Sequence, residues 1–194
     1  MISVFDHAWL SGLFGHREAQ DIWRPERQLQ YFIEFEVALT RAHVTVGRVD
    51  TDRGEAAVRA MEASRLDVDE LRNGTAQDGL PIPNMVRQLR QVATPHEDAV
   101  HIGATSQDVL DTALSLSLQA VSNIIELHLS ALVTELDGLI SIHGPNPLIG
   151  RTRMQAALPI TVADRLRTWK RSLVNHKERL SQVRTSVERL QIGG

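Results

Sequence analysis

The stretch that decides the fold is Ser106–His143, SQDVLDTALSLSLQAVSNIIELHLSALVTELDGLISIH. It contains no proline and a single glycine, Gly138. Such a run predicts one helix about 55 Å long, at 1.5 Å of rise per residue. Two apolar stripes follow helical spacing along it. One is Leu110, Leu114, Leu118, Val121, Ile125, Leu129, Leu132 and Leu136; the other is Val109, Ala113, Leu116, Ala120, Ile124, Leu127 and Ala131. A helix that is apolar on more than one side is buried by several neighbours. The chain offers few partners of that length.

Downstream, Gly144-Pro145-Asn146-Pro147 breaks the helix, and a loop through Leu158 is expected. A second long helix is expected from Pro159 to Leu190. Its seam is a heptad: Leu166, Leu173, Leu180 and Val187 in one row, Trp169, His176, Val183 and Leu190 in the other. Upstream, Pro25 suits a first helical position, and Leu29, Phe32, Phe35, Leu39 and His43 carry helical spacing to a stop at Gly47. Shorter helices are expected over 51–64, 67–73 and 83–93, with Thr51 and Asp67 as N-caps. Asn73-Gly74, Asp78-Gly79, Pro81 and Pro83 punctuate them. No strand pattern emerges. The expected fold class is all-α, with a small helical domain over 1–98 and the first part of a long-helix bundle over 99–194. Two bundle-length helices with too few partners imply that the chain oligomerises through them, is cut, or both.

Composition narrows the class. Hydrophobic residues are 42% and charged residues 23%, the balance of a globular protein. Aromatics are only 4%, so the core rests on aliphatic side chains, which favours helices over sandwiches. With no cysteine there are no disulfides and no thiolate metal sites. The N-terminus, MISVFDHAWLSGLFG, lacks the basic region of a signal peptide. Polar residues break the apolar runs before about 18 positions, so no membrane span is expected, and the cytoplasm is the expected compartment. The net charge is −3, yet 146–194 carries ten Lys/Arg against three acids. That basic section suits an anionic ligand, an acidic partner or a solvated helix face. Without an aromatic platform it does not suit nucleic acid. His96 and His101, five apart, lack the spacing of a metal-binding helix, so no metal is expected. His176 falls in the heptad seam and reads as a core or interface residue.

Two segments could carry chemistry. In His101-Ile102-Gly103-Ala104-Thr105-Ser106-Gln107-Asp108, two hydroxyls stand at the mouth of the long helix, where free backbone N–H groups and the positive dipole end favour an anion. The plainer reading is that Ser106 only caps the helix. In Gly150-Arg151-Thr152-Arg153-Met154-Gln155-Ala156-Ala157-Leu158-Pro159, two guanidiniums, a hydroxyl and an amide crowd between the long helices. Arginine forks match carboxylates bidentately; a solvated cationic loop is the plainer alternative.

Together the segments resemble the first and second conserved regions of the fumarase/aspartase superfamily, of the forms H-x-G-x-T-S-x-D-x-x-D-T-A and G-R-T-H-x-Q-x-A-x-P. Their order, the long helix between them and the Gly193-Gly194 pair also agree. One departure matters: the related lyases carry a histidine where this chain has Arg153. Arginine holds an anion but does not donate a proton near neutral pH. Here, and over Leu13–Ala42, the chain resembles the bacterial 3-carboxy-cis,cis-muconate cycloisomerases. That resemblance implies a cofactor-free lactonisation of an anionic muconate, within aromatic catabolism, by a homotetramer whose sites draw on three chains. A sulfo-substituted muconate is a variant substrate. It implies substrate-binding roles for His101, Thr105 and Ser106 in the first segment and for Thr152, Arg153 and Gln155 in the second. The superfamily's third region, a Gly-Ser-Ser-x-Met-Pro-type loop bearing the general base, is absent. It would lie beyond Gly194, so the resemblance implies that residues 1–194 alone are inactive and leaves the proton donor unnamed. An adenylosuccinate lyase-like enzyme is the enzymatic alternative; a helical-bundle interaction protein is the non-enzymatic one.

Overall fold

The computed structural model describes residues 3–193. Eight α-helices and one two-stranded sheet form among them: α1 Ser11–Phe14, α2 Arg17–Ile22, α3 Pro25–Thr45, α4 Thr51–Glu62, α5 Val68–Asp78, α6 Ile82–Ala93, α7 Ser106–His143, β1 Pro147–Thr152, β2 Gln155–Thr161 and α8 Val162–Val187. A single 3₁₀ turn, Glu97–Ala99, leads into the loop before α7. The all-α class holds. The chain divides into two compact units, one of residues 1–117 with 189–194 and one of residues 118–188. Helix α7 contributes residues to both.

The first unit is built on α3, α4 and α6. Phe35, Val37, Ala57, Val58, Met61, Ile82, Met85 and Leu89 form its core, joined by Ala99, Val100 and Val109 from the loop and the first turn of α7. The local signals shift slightly from expectation. Asp50, not Thr51, caps α4, its carboxylate accepting the amides of Asp52 and Arg53. Asp67 caps α5 as expected. Helix α5, however, runs through Asn73-Gly74 to Asp78 and stops at Gly79, whose φ of +78° only glycine adopts easily. Gly74 is a contact residue instead of a breaker: a Cβ there would lie 2.5 Å from Asn84 of α6. Packing of α6 selects glycine at that position.

Four backbone-to-side-chain bonds show how the chain end belongs to this unit. Residues 189–193 lie along the start of α7. The amides of Arg189, Gln191 and Gly193 donate to Ser115 Oγ (2.7 Å), Thr112 Oγ1 (3.2 Å) and Asp108 Oδ1 (2.8 Å), while Thr112 Oγ1 donates back to the Gln191 carbonyl at 3.4 Å. Asp108, Thr112 and Ser115 occupy one face of α7 at i, i+4 and i+7, and all three are buried.

In the second unit α7 and α8 run antiparallel, tied at three levels. Gln119 bonds Glu188, Arg184 bonds Glu126 and Asn123, and Lys170 pairs with Asp137 at 2.6 Å. Arg184 also bonds Glu188 within α8. These contacts raise the Arg184 pKa above its usual value and hold the Glu188 carboxyl below its own, the Arg184–Glu188 hydrogen bond being the largest cause in both. Only one heptad row turns inward: Leu166 is buried and Leu173, Leu180 and Val187 are half-buried, whereas Trp169, Val183 and Leu190 are exposed. On α7, Ile125, Leu127, Leu132, Leu139 and Ile142 are exposed as well. By length and composition α7 reaches what a membrane crossing requires, contrary to the sequence expectation, though the core helix of a soluble protein passes the same test.

The expected loop through Leu158 is a β-hairpin. Strands β1 and β2 pair antiparallel, from Pro147 opposite Thr161 to Thr152 opposite Gln155, with an irregularity between Ile149 and Arg151. The sequence missed it because the strands do not alternate: nearly every residue is exposed, so no period-two pattern was imposed on them. Pro159 is tolerated because both strands are edges. Helix α8 accordingly begins at Val162 instead of Pro159 and ends before Leu190.

Candidate active site

The first motif sits in the first unit and is held from below by α3. Glu36, Thr40 and His43 lie at i, i+4 and i+7 on that helix and each reaches the loop: Glu36 Oε1 to His101 Nδ1 at 2.6 Å, Thr40 Oγ1 donating to the Ala99 carbonyl at 3.0 Å, and His43 Nε2 to the Ile102 carbonyl at 2.9 Å. Glu36 and Thr40 are fully buried. From α6, Arg90 donates to the Val100 carbonyl at 3.2 Å. His101 takes a left-handed φ of +59°, which costs a non-glycine residue about 1 kcal/mol. Gly103 follows at +67°.

The cap of α7 is Thr105, not Ser106. Asp108 Oδ2 accepts the Thr105 amide at 2.7 Å and the Thr105 hydroxyl at 3.0 Å, and the Asp108 amide returns to Thr105 Oγ1 at 3.4 Å. This is a capping box written with Asp in place of Glu. Thr105 therefore spends its hydroxyl proton within the chain. Ser106, one residue on, is half-buried, and its hydroxyl has no hydrogen-bond partner among the described residues. The donors that this segment offers an anion are thus the Ser106 hydroxyl and the first amides of α7, with the His101 ring beside them.

The second motif sits in the second unit, at the tip of the hairpin. Arg153 and Met154 form its two-residue turn with φ of +46° and +69°. Positive φ at both central positions is the type I′ signature, usually met by Asn-Gly. Here neither residue is glycine. Thr152, Arg153 and Gln155 are exposed, and their side chains make no hydrogen bond or ion pair among the described residues. Met154 is 91% exposed. At the foot of the hairpin Thr161 and Asp164 form a second capping box, opening α8. The Thr161 amide, with its hydroxyl next, holds the Asp164 carboxyl below its ordinary pKa.

The structure thus brings His101, Thr105 and Ser106 together in one unit, and Thr152, Arg153 and Gln155 together in the other. Sequence reasoning overlooked Glu36, Thr40 and Asp108. Glu36 and Thr40 share helical spacing with His43, and polar residues recurring on a packed face were the available signal. The repeated Thr-x-x-Asp at 105–108 and 161–164 was the signal for the caps.

In the first unit a helix mouth whose Ser106 hydroxyl has no hydrogen-bond partner among the described residues suits an organic carboxylate; in the second unit the arginine fork on its exposed turn does so separately. A family model described as Lyase matches residues 8–194. The chain belongs to this family of lyases, part of the fumarase/aspartase superfamily. It is 34% identical over 168 residues to the 3-carboxy-cis,cis-muconate cycloisomerase of Pseudomonas putida, covering 84% of this chain and 40% of that protein. It is 31% identical over 180 residues to the adenylosuccinate lyase of Pyrococcus horikoshii, covering 93% and 39%. The crystal structure of the 3-carboxy-cis,cis-muconate lactonizing enzyme from Pseudomonas putida superposes with a TM-score of 0.88 at 33% identity, over 97% of this chain and 44% of that one. The chain therefore spans about two-fifths of the length of the relatives it matches.

Proposed function

We propose that the protein is a cycloisomerase that converts 3-carboxy-cis,cis-muconate to its γ-lactone, without a cofactor. The observation that carries this reading is Arg153. It takes the place where the superfamily's lyases carry histidine, on an exposed turn with its guanidinium unengaged. A lyase must protonate its leaving group; a lactonisation has none. In it a carboxylate oxygen adds across a carbon–carbon double bond, one C–O bond forms, and the carbon left as a carbanion beside a second carboxylate takes up a proton. No atom leaves. The costly species is that carbanion, delocalised as an aci-carboxylate, and donors fixed around its oxygens lower the barrier. Arg153, with Thr152 and Gln155, supplies a fork and two neutral donors. Ser106 and His101 would hold a further carboxylate of the substrate, Thr105 acting through the cap. The general acid is outside this set. The reading includes a homotetramer, for which the exposed apolar rows of α7 and α8 are the support, and a cytoplasmic role in aromatic catabolism.

The test is to incubate the full-length protein separately with 3-carboxy-cis,cis-muconate and with adenylosuccinate, following each by ultraviolet absorbance. Consumption of the muconate with lactone formation is expected. Turnover of adenylosuccinate alone would overturn the assignment in favour of the lyase reading.

A further inference from the structure

Three costs meet at one point of the first unit. Glu36 is a carboxylate with 0% exposure on a helix whose neighbours Phe35 and Val37 belong to the apolar core. Its Oε1 meets His101 Nδ1 at 2.6 Å, while its Oε2 is buried with no hydrogen-bond partner among the described residues. His101, for its part, holds a left-handed backbone. A buried carboxylate is expensive unless paired and fully bonded, and an apolar residue of similar size would fill the site without that cost. Backbone strain, buried charge and an unmet acceptor concentrated on one contact mark a residue placed for what it does to its partner.

Geometry limits what that can be. The short contact holds one proton between Oε1 and Nδ1, and with Glu36 as the acceptor that proton sits on Nδ1. Nε2 is then the nitrogen left for anything outside. The His101 side chain keeps 15% of its surface exposed while Glu36 keeps none, so a ligand meets the pair only through the imidazole. Thr40 and His43, one and two turns further along α3, bond Ala99 and Ile102 on either side of His101. These bonds hold the backbone on both sides of His101, and the contact with Glu36 holds the ring.

We propose that Glu36 is the positioning residue of His101: its buried carboxylate takes the Nδ1 proton and presents Nε2 to a carboxylate of the substrate. This rests on the reading that His101 belongs to the substrate site. Binding of an anionic ligand is coupled to uptake of one proton from solvent at Nε2, which makes the ring a cation and completes a charge-assisted bond, while Glu36 balances that charge from behind.

The test reads the ring directly, by nitrogen-15 NMR of histidine-labelled full-length protein at a pH where the ring is neutral, with the signal assigned by its loss in His101→Asn. The neutral ring is expected to carry its proton on Nδ1. A proton on Nε2 in the unaltered protein would make Glu36 the donor and overturn the proposal, with no variant needed. In Glu36→Ala the Nδ1 preference should vanish; its persistence would also overturn it. Glu36→Gln, which keeps the shape, should raise KM for the muconate about tenfold, the usual scale for a residue that orients another. An unchanged KM would count against the dyad. If the unaltered protein turns over no muconate, the substrate reading fails, and the spectrum alone decides the pair.

Discussion

The two motif-bearing segments are held in opposite ways. The first is fastened from outside itself: Glu36, Thr40 and His43 of α3, Arg90 of α6 and Gly193 of the chain end all bond residues between Ala99 and Asp108. The second is fastened mainly by its own ladder, that of an exposed hairpin whose turn residues both take positive φ. The same contrast separates the two capping boxes. Asp108 is 1% exposed and divides its carboxylate between Thr105 and Gly193, whereas Asp164 is exposed and accepts hydrogen bonds from Thr161. An identical local pattern is a structural joint in one place and a simple helix start in the other. What differs is the packing around it. A loop fixed by packing presents groups in set positions; the hairpin's Thr152, Arg153 and Gln155 side chains make no hydrogen bond among the described residues.

The contrast predicts unequal responses to substitution. The largest effect on stability is expected at the buried joint. Asp108→Ala removes the cap and strands the Gly193 and Thr105 amides, for a loss of about 3 kcal/mol in urea unfolding. A loss below that of an exposed cap would erase the distinction between the two boxes. Next, Arg153→Ala should lower kcat/KM for 3-carboxy-cis,cis-muconate about a hundredfold, on the scale of a lost donor to developing charge. Its thermal midpoint should stay put, because the side chain has nothing to lose in the free protein. A fall in midpoint equal to that of Asp108→Ala would show that the hairpin is packed after all. Third, Thr161→Ala should cost only about 1 kcal/mol, a typical cap. Fourth, Met154→Gly relieves a strained left-handed residue and should leave stability unchanged or raise it by about 1 kcal/mol. Destabilisation would mean that the methionine side chain is doing the holding.

The smallest effect is electrostatic and belongs to the second unit. The Glu188 and Asp164 carboxyls both titrate below their ordinary values in the folded chain. A lowered folded-state pKa gives stability that is complete above the unfolded value and lost as pH falls through the folded one. Helix pairing in 118–188 should therefore weaken as pH falls from the ordinary carboxylate range. Hydrogen exchange in α8 at pH 5 and pH 3 checks this, and Arg184→Met, which removes the main cause at Glu188, should flatten the dependence.

Much of the architecture was legible because it is periodic. The uninterrupted run before Gly144 set α7, the heptads set α8, and Pro25 and Asp67 marked helix starts by chemistry acting within one turn. The motif residues stood out by type and spacing alone. The hairpin did not, since exposed strands carry no alternation, and the end of α5 did not, since Gly74 reads as a breaker unless Asn84 is known to press on it. Of the two boxes, the sequence shows Thr-x-x-Asp in both and cannot say which aspartate is buried.

The sequence by itself determined an all-α chain with two long helices and two polar motif segments, because helical period, caps and residue chemistry are local properties. Only the tertiary structure decided which groups in those segments remain free to act. It showed that Asp108 spends the Thr105 hydroxyl, that Ser106 and Arg153 keep their donors, and that Glu36 stands behind His101. The physical reason is separation along the chain: Glu36 and His101 lie 65 residues apart, as Asp108 and Gly193 lie 85 apart, and no local pattern encodes a hydrogen bond that packing alone brings within reach.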